Sequence, residues 1–280
     1  MKTLRIGYST CPNDTYIFGG LSANNEDVFL SFDPVLADVE TLNGWALEGR
    51  LDVTKLSFFA LGRVREQYAL LHSGGALGRG CGPILVTRGG TDLEHLKHGN
   101  RRYTIAAPGN LTTARLLLTL YLGHEPKFRQ MVFSEVMPAV SVGEADFGLV
   151  IHEGRFTLDA YGLQSILDLG QWWEEETGLP IPLGGIAIRR DLGERAARMV
   201  DDRIRQSLFL AEGGSSVVRD YVRSHAQEMA PSVIQQHIDL YVNRFSRNLG
   251  HEGRGAVRVL LDRAEAAGLL GPCALPLMAC

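Results

Sequence analysis

Cysteine is scarce in this chain: four residues in 280 (Cys11, Cys81, Cys273 and Cys280), with no C-x-x-C pair among them. That spacing excludes a zinc knuckle and suits free thiols in a reducing compartment better than a disulfide frame. No H-E-x-x-H, H-x-x-E-H or paired His–Cys cluster occurs, so neither a catalytic metal nor a metal-dependent reaction is expected. Basic charge is not in excess: the net charge is −4 and the Lys and Arg residues are scattered. A nucleic-acid partner is therefore not expected. No stretch approaches the roughly 20 consecutive apolar residues that a membrane span needs. Polar and turn residues follow within ten positions of Met1, where a secretory leader would place its apolar core. A cytoplasmic location is the expectation. The Gly-rich stretch "SGGALGRGCGP" (73–83) lacks both the G-K-[ST] ending and the G-x-G-x-x-G spacing of nucleotide loops. A hinge or a close-packed crossing is expected there instead.

What is present is an alternation of strand and helix patterns. "LRIGYS" (4–9) reads as a strand, and "CPNDTYIF" (11–18) turns into a helix with Asn13 or Asp14 as its cap. Strand patterns recur at 28–36, 51–57, 69–72 and 82–87, with helices at 38–50 and 58–65 between them. The polar stretch 88–102 reads as a change of lobe. The rhythm then restarts: strands at 103–108, 130–133, 145–152 and 164–170, and helices at 112–123, 135–144 and 171–178. A Pro-containing crossing with a last strand covers 179–191, and helical patterns follow at 191–212, 215–229, 231–243 and 252–268. Such βα alternation implies an α/β fold with mixed, mostly parallel sheets and helices on both faces.

The series also repeats. Each half opens on strand, turn, polar cap and helix ("IGYSTCPNDT" and "IAAPGNLTTA"). Each later carries a helix, then Gly-x-x-Asp, then a strand ("GRLDVTKLS" and "GEADFGLVIH"). Two similar α/β lobes follow: residues 1–90 with 188–280, and an inserted 91–187. Ligands bind such lobes beyond the carboxyl ends of the strands, so two facing lobes share one cleft. Ser57 and His152 then project into it from opposite sides.

His152 ends a strongly apolar strand, a position that suits a general base or a structural imidazole capped at a strand terminus. Glu153 either orients that ring or begins the following turn near Arg155. Thr112 and Thr113 open a helix after "PGN", where free N–H groups can hold a carboxylate or the side chains can simply cap. Ser9, Asn13 and Asp14 pose the same choice in the first half: contacts to a polyhydroxylated ligand, or caps. Trp172 and Trp173 could cover a flat ligand, although core packing is the commoner fate of such rings.

Six stretches in a fixed order carry a further signal: "CPNDTYIF", "DVETLNGWALEGRLDVTKLS", "SGGALGRGCGP", "IHEGRF", "DLGQWWEEETGLPIPLGG" and "YVNRFS". Together they resemble the 1,4-dihydroxy-6-naphthoate synthase family of the futalosine route to menaquinone. The resemblance implies a two-lobed, periplasmic-binding-protein-like (type II) fold used as an enzyme. The implied partner is a small molecule, cyclic dehypoxanthine futalosine, opened without a cofactor to the dihydroxynaphthoate and dihydroxyacetone. By position, Lys55, Leu56 and Ser57 and the pair Thr112–Thr113 match substrate-contacting motifs, and His152 matches the family's proton acceptor. Thr10 stands where the family often has proline. The rival readings are a non-catalytic solute-binding protein and a chorismate dehydratase of the same pathway.

Overall fold

The repeated Gly-x-x-Asp is a structural device, visible in a computed structural model that describes residues 2–23, 30–89, 93–98, 103–226 and 230–280. In the first half the backbone N–H of Arg5 donates to Asp52 Oδ2 at 2.9 Å, and Asp52 N–H donates back to the Arg5 carbonyl at 3.0 Å. In the second half Thr104 N–H donates to Asp146 Oδ2 at 2.8 Å, and Asp146 N–H donates back to Thr104 O at 3.0 Å. Each aspartate thus clamps the first strand of its half to the strand that follows it. Each preceding glycine lies in the left-handed region (Gly49 φ +65°, Gly143 φ +83°), where a side chain would be strained.

Strands β1 (Lys2–Tyr8), β2 (Leu30–Leu36), β3 (Val53–Ser57), β4 (Tyr68–Leu70) and β5 (Ala76–Gly78) join β11 (Ile181–Arg189) in a six-stranded sheet. Its order is β2-β1-β3-β11-β4, with β5 also paired to β11. Strands β6 (Ile84–Thr87), β7 (Ile105–Ala107), β8 (Phe128–Gln130), β9 (Phe147–Val150) and β10 (Gln164–Asp168) form a second, five-stranded sheet in the order β10-β6-β9-β7-β8. The sheets correspond: β1, β2 and β3 pair in parallel as β7, β8 and β9 do. The expected parallel pairing is confined to these triplets. The strand beside each triplet, β11 in one and β6 in the other, runs antiparallel because it arrives from the opposite half. That exchange moves the change of sheet away from the expected 90/91 and 187/188 boundaries. Strand β6 already belongs to the second sheet, and β11 has returned to the first by Ile181.

The exchange needs two chain segments to pass closely. A Cβ on Gly82 would stand 2.2 Å from the backbone nitrogen of Gly170, so the expected close-packed crossing at 73–83 is real and glycine is required there.

The helices are α1 (Pro12–Ala23), α2 (Val39–Leu47), α3 (Phe58–Val64), α4 (Leu93–Lys97), α5 (Thr113–Leu122), α6 (Phe133–Ser141), α7 (Leu169–Thr177), α8 (Gly193–Glu212), α9 (Ser216–His225), α10 (Pro231–Tyr241), α11 (Arg244–Arg247) and α12 (Gly250–Ala266). Several differ from the sequence patterns. Pro12 is the first residue of α1, which puts Asn13 and Asp14 inside the first turn rather than at the cap. The strand expected at 130–133 is β8, which ends at Gln130. The apolar Met131-Val132-Phe133 run enters α6 instead, with Val132 at its N-cap. Helix α11 was hidden inside "NRFSR", and Asn243 and Ser246 build its capping box. The helix expected over 215–229 ends at His225, and 227–229 lie outside the described residues, as do 28 and 29 of the second strand pattern. Residues 90–92 and 99–102 also lie outside them.

One buried apolar cluster runs from Leu260 and Leu261 of α12 through Leu56 and Ala187 to Leu85 and Phe147, so both sheets share a core. Burying each such large side chain contributes about 1.5–3 kcal/mol. Trp173 is fully buried and its indole N–H donates to Pro180 O at 3.1 Å, while Trp172 packs edge-on to Tyr121. Trp173 is a core residue, and half-buried Trp172 packs against the same cluster. Among the described residues no helix is long and apolar enough to cross a membrane.

Candidate active site

The carboxyl ends of β1, β3, β7 and β9 converge on one cleft that encloses about 700 Å³ of empty space, its open mouth included. The polar candidates and Leu56 line it, whereas Trp172 and Trp173 do not. Ser9, Asn13 and Asp14 follow β1; Lys55, Leu56 and Ser57 end β3; Thr112 and Thr113 open α5; and His152 follows β9.

On the first wall, Asp14 is the hub. Its Oδ1 receives Lys55 Nζ at 3.0 Å and Asn13 Nδ2 at 2.9 Å, and its Oδ2 receives Ser9 Oγ at 2.7 Å and Ser9 N at 3.2 Å. Burial alone would raise the Asp14 pKa, but the Lys55 charge and the Ser9 bonds outweigh it and hold the carboxyl below its ordinary value. Asp14 is therefore neither a helix cap nor a free ligand contact: it fixes the Lys55 ammonium, which also donates to Gly74 O at 3.2 Å.

Ser57 is held by Asn43, which the sequence reading missed. Asn43 is fully buried in α2, accepts from Ser57 N at 3.0 Å and donates to Ser57 Oγ at 3.1 Å. A polar residue next to Leu42 on the buried stripe of an amphipathic helix was the available signal. Because Ser57 Oγ accepts from Asn43, the hydroxyl retains its own hydrogen for donation.

Across the cleft the two threonines differ. Thr112 is the N-cap of α5, its Oγ1 accepting from Arg115 N at 3.3 Å. Thr113 donates its hydroxyl to Leu183 O at 2.6 Å and so ties α5 to β11. The N–H groups of Thr113 and Ala114, at the first two positions of α5, have no intrahelical acceptor by helix geometry. The loop before them is taken by a residue of the other side. Glu40 of α2 accepts from Asn110 N at 2.6 Å and Leu111 N at 3.0 Å. Burial raises the Glu40 pKa, with partial relief from the bonds of Asn43, Leu111 and Asn110.

Strand β9 stops pairing at Val150, two residues earlier than expected, and His152 begins a short 3-10 turn ending at Phe156. His152 has φ +55°, the left-handed region, alone among the described non-glycine residues. Such a conformation costs on the order of 1–3 kcal/mol and clusters at functional sites. Its half-buried ring meets Phe133 edge-on at 5.4 Å and lies parallel to His237 at 6.1 Å between centroids. The expected alternative of Glu153 orienting this ring rests on a side chain outside the described ones. Cys81 also lines the cleft, and burial pushes its thiol up to about 12. Among the described residues no group of three or more His, Cys, Asp or Glu side chains is gathered as for a metal ion.

The sequence model of a family described as "Menaquinone biosynthesis" matches residues 4–266. A 1,4-dihydroxy-6-naphthoate synthase of Thermus thermophilus is 49% identical over 279 residues, covering 99% of both chains. One from Streptomyces coelicolor is 46% identical over 282 aligned positions and 98% of both. Among solved structures, a protein of Archaeoglobus fulgidus superposes with a TM-score of 0.87 at 31% identity, over 96% of this chain and 98% of that one. The alkanesulfonate-binding protein SsuA of Xanthomonas axonopodis pv. citri, bound to MOPS, superposes with a TM-score of 0.70 at 15% identity, over 96% and 94%. That likeness shows a periplasmic-binding-protein-like fold. On sequence and fold together, the chain belongs to the menaquinone-biosynthesis family that includes the 1,4-dihydroxy-6-naphthoate synthases.

Proposed function

We propose that this protein is a cofactor-independent carbon–carbon lyase that opens cyclic dehypoxanthine futalosine to 1,4-dihydroxy-6-naphthoate and dihydroxyacetone, with His152 as general base. The observation that carries the reading is an imidazole in strained backbone at the mouth of β9, lining the same cleft as a fixed ammonium and a serine. The whole-length relatives that share the synthase name support the substrate class.

The N–H groups at the start of α5 hold the substrate carboxylate, helped by the dipole of that ten-residue helix. Lys55 and Ser57 donate to the hydroxyls of the sugar-derived part. His152 removes a substrate proton, and the electron pair of the breaking bond flows into the bicyclic ring system, which aromatises. Closure of the two lobes excludes water and holds the reacting groups in place. A base of this kind contributes about 10²–10⁴ in rate.

The test is a product assay by mass on the cyclic compound. Release of the naphthoate and dihydroxyacetone supports the reading. Binding without turnover would make the protein a solute-binding protein, and loss of water from chorismate would make it the dehydratase.

A further inference from the structure

The proposed chemistry leaves one buried imidazole without a task. His237 of α10 is fully buried and does not line the cleft, yet its ring lies parallel to that of His152, with centroids 6.1 Å and planes 12° apart. Its Nε2 is 2.9 Å from Asn13 Oδ1. Asn13 donates through Nδ2 to Asp14, so its Oδ1 is the accepting end and His237 donates from Nε2–H. That bond fixes the plane of the His237 ring and ties it, through Asn13 and Asp14, to Lys55. One helical turn on, Tyr241 packs its ring on His237 at 4.7 Å and donates its hydroxyl to the backbone carbonyl of His152 at 3.4 Å. Two residues four apart on one helix therefore hold both the ring and the strained backbone of His152. Helix α10 packs on α1 and β5, elements of the first half, whereas His152 follows a strand of the second sheet. The contact thus bridges the two walls of the cleft.

We infer that His237 is a positioning residue for His152, locking the plane of that imidazole in register with the Lys55–Asp14–Asn13 chain when the two walls are together. The inference rests on the reading of His152 as the base. His237 touches no reacting atom; it acts through the ring it stacks on.

Three variants separate its two contacts. His237→Phe keeps the ring face and removes the donor to Asn13, His237→Gln keeps a donor and removes the ring face, and His237→Ala removes both. On the cyclic substrate, His237→Ala should lower kcat at least tenfold with KM changed less than about threefold, and the other two should each recover part of kcat. In parallel, ¹⁵N-histidine spectra, with His152 assigned from a His152→Asn sample, should show its ring signals displaced in His237→Ala. Unmoved ring signals, or an unchanged kcat where turnover exists, would overturn the inference. If His237→Ala does not fold, the same two readouts on His237→Gln decide it. If the wild type fails to turn over the compound, the functional reading falls, and the spectra alone then decide whether His237 holds the His152 ring.

Discussion

Replacing Asp14 by leucine should destabilise the protein by about 3–5 kcal/mol, because it strands the Lys55 ammonium in a buried site. Asp14 is 3% exposed and Lys55 6%, and the carboxylate is the only anion that meets the ammonium among the described ion pairs. After the substitution, Gly74 O at 3.2 Å is the remaining hydrogen-bond acceptor described for it. For a chain of this size the loss corresponds to a fall in Tm on the order of 10 °C. Removing both charges in Asp14→Leu with Lys55→Met should recover most of it, since a buried pair replaced by apolar groups is often neutral. A double-mutant cycle from thermal melts should therefore show coupling above about 2 kcal/mol. The pH dependence has a definite sign. Because the folded Asp14 carboxyl lies below its ordinary 3.8, the pair stabilises fully above that value and loses its contribution as pH falls beneath it. The gap between wild type and Asp14→Leu should thus narrow only in acid. A cost below about 1 kcal/mol for Asp14→Leu, or a double variant whose cost equals the sum of the singles, would mean that the buried pair is not coupled in this way.

Asn43→Ala leaves the Ser57 N–H buried without its 3.0 Å acceptor and should cost about 1–3 kcal/mol in melts, with KM rising as Ser57 loosens. Glu40 titrates with the opposite sign to Asp14: its raised folded pKa makes its contribution greatest below 4.5 and progressively lost as pH rises past it. Glu40→Gln should accordingly gain on wild type in Tm from about pH 4.5 upward, and a constant difference across pH would contradict the burial argument. The Cys81 thiol, pushed up to about 12 by burial, should resist iodoacetamide at pH 8 while half-buried Cys273 reacts; peptide masses would tell them apart.

Much of the site was legible because of one rule of α/β architecture. Side chains just past the carboxyl ends of strands face the ligand, and those ends could be marked from hydrophobic runs. Hence Ser9, Ser57 and His152, far apart in sequence, could be expected at one cleft, where they lie. The roles of individual polar groups were less legible, because cap, ligand contact and internal bond use the same residue types. Asp14 spends both oxygens on its neighbours, and Thr113 donates to a strand seventy positions away. Neither bond leaves a local pattern. His237 and Tyr241 were hidden for a related reason: on α10 they look like ordinary interior residues, and only the packing of that helix against the 3-10 turn at His152 gives them meaning. The strand exchange was not legible because β6 and β11 carry the same apolar signature as their neighbours, and periodicity does not say which sheet a strand joins.

The proposed role of His152 as the base in carbon–carbon cleavage can be measured in one turnover. Single-turnover mass analysis of cyclic dehypoxanthine futalosine, with wild type and His152→Ala at equal occupancy, tests it most directly. The wild type should give stoichiometric naphthoate and dihydroxyacetone, and the variant a rate about 10²–10⁴ lower with substrate still bound. Equal rates from both proteins would contradict it.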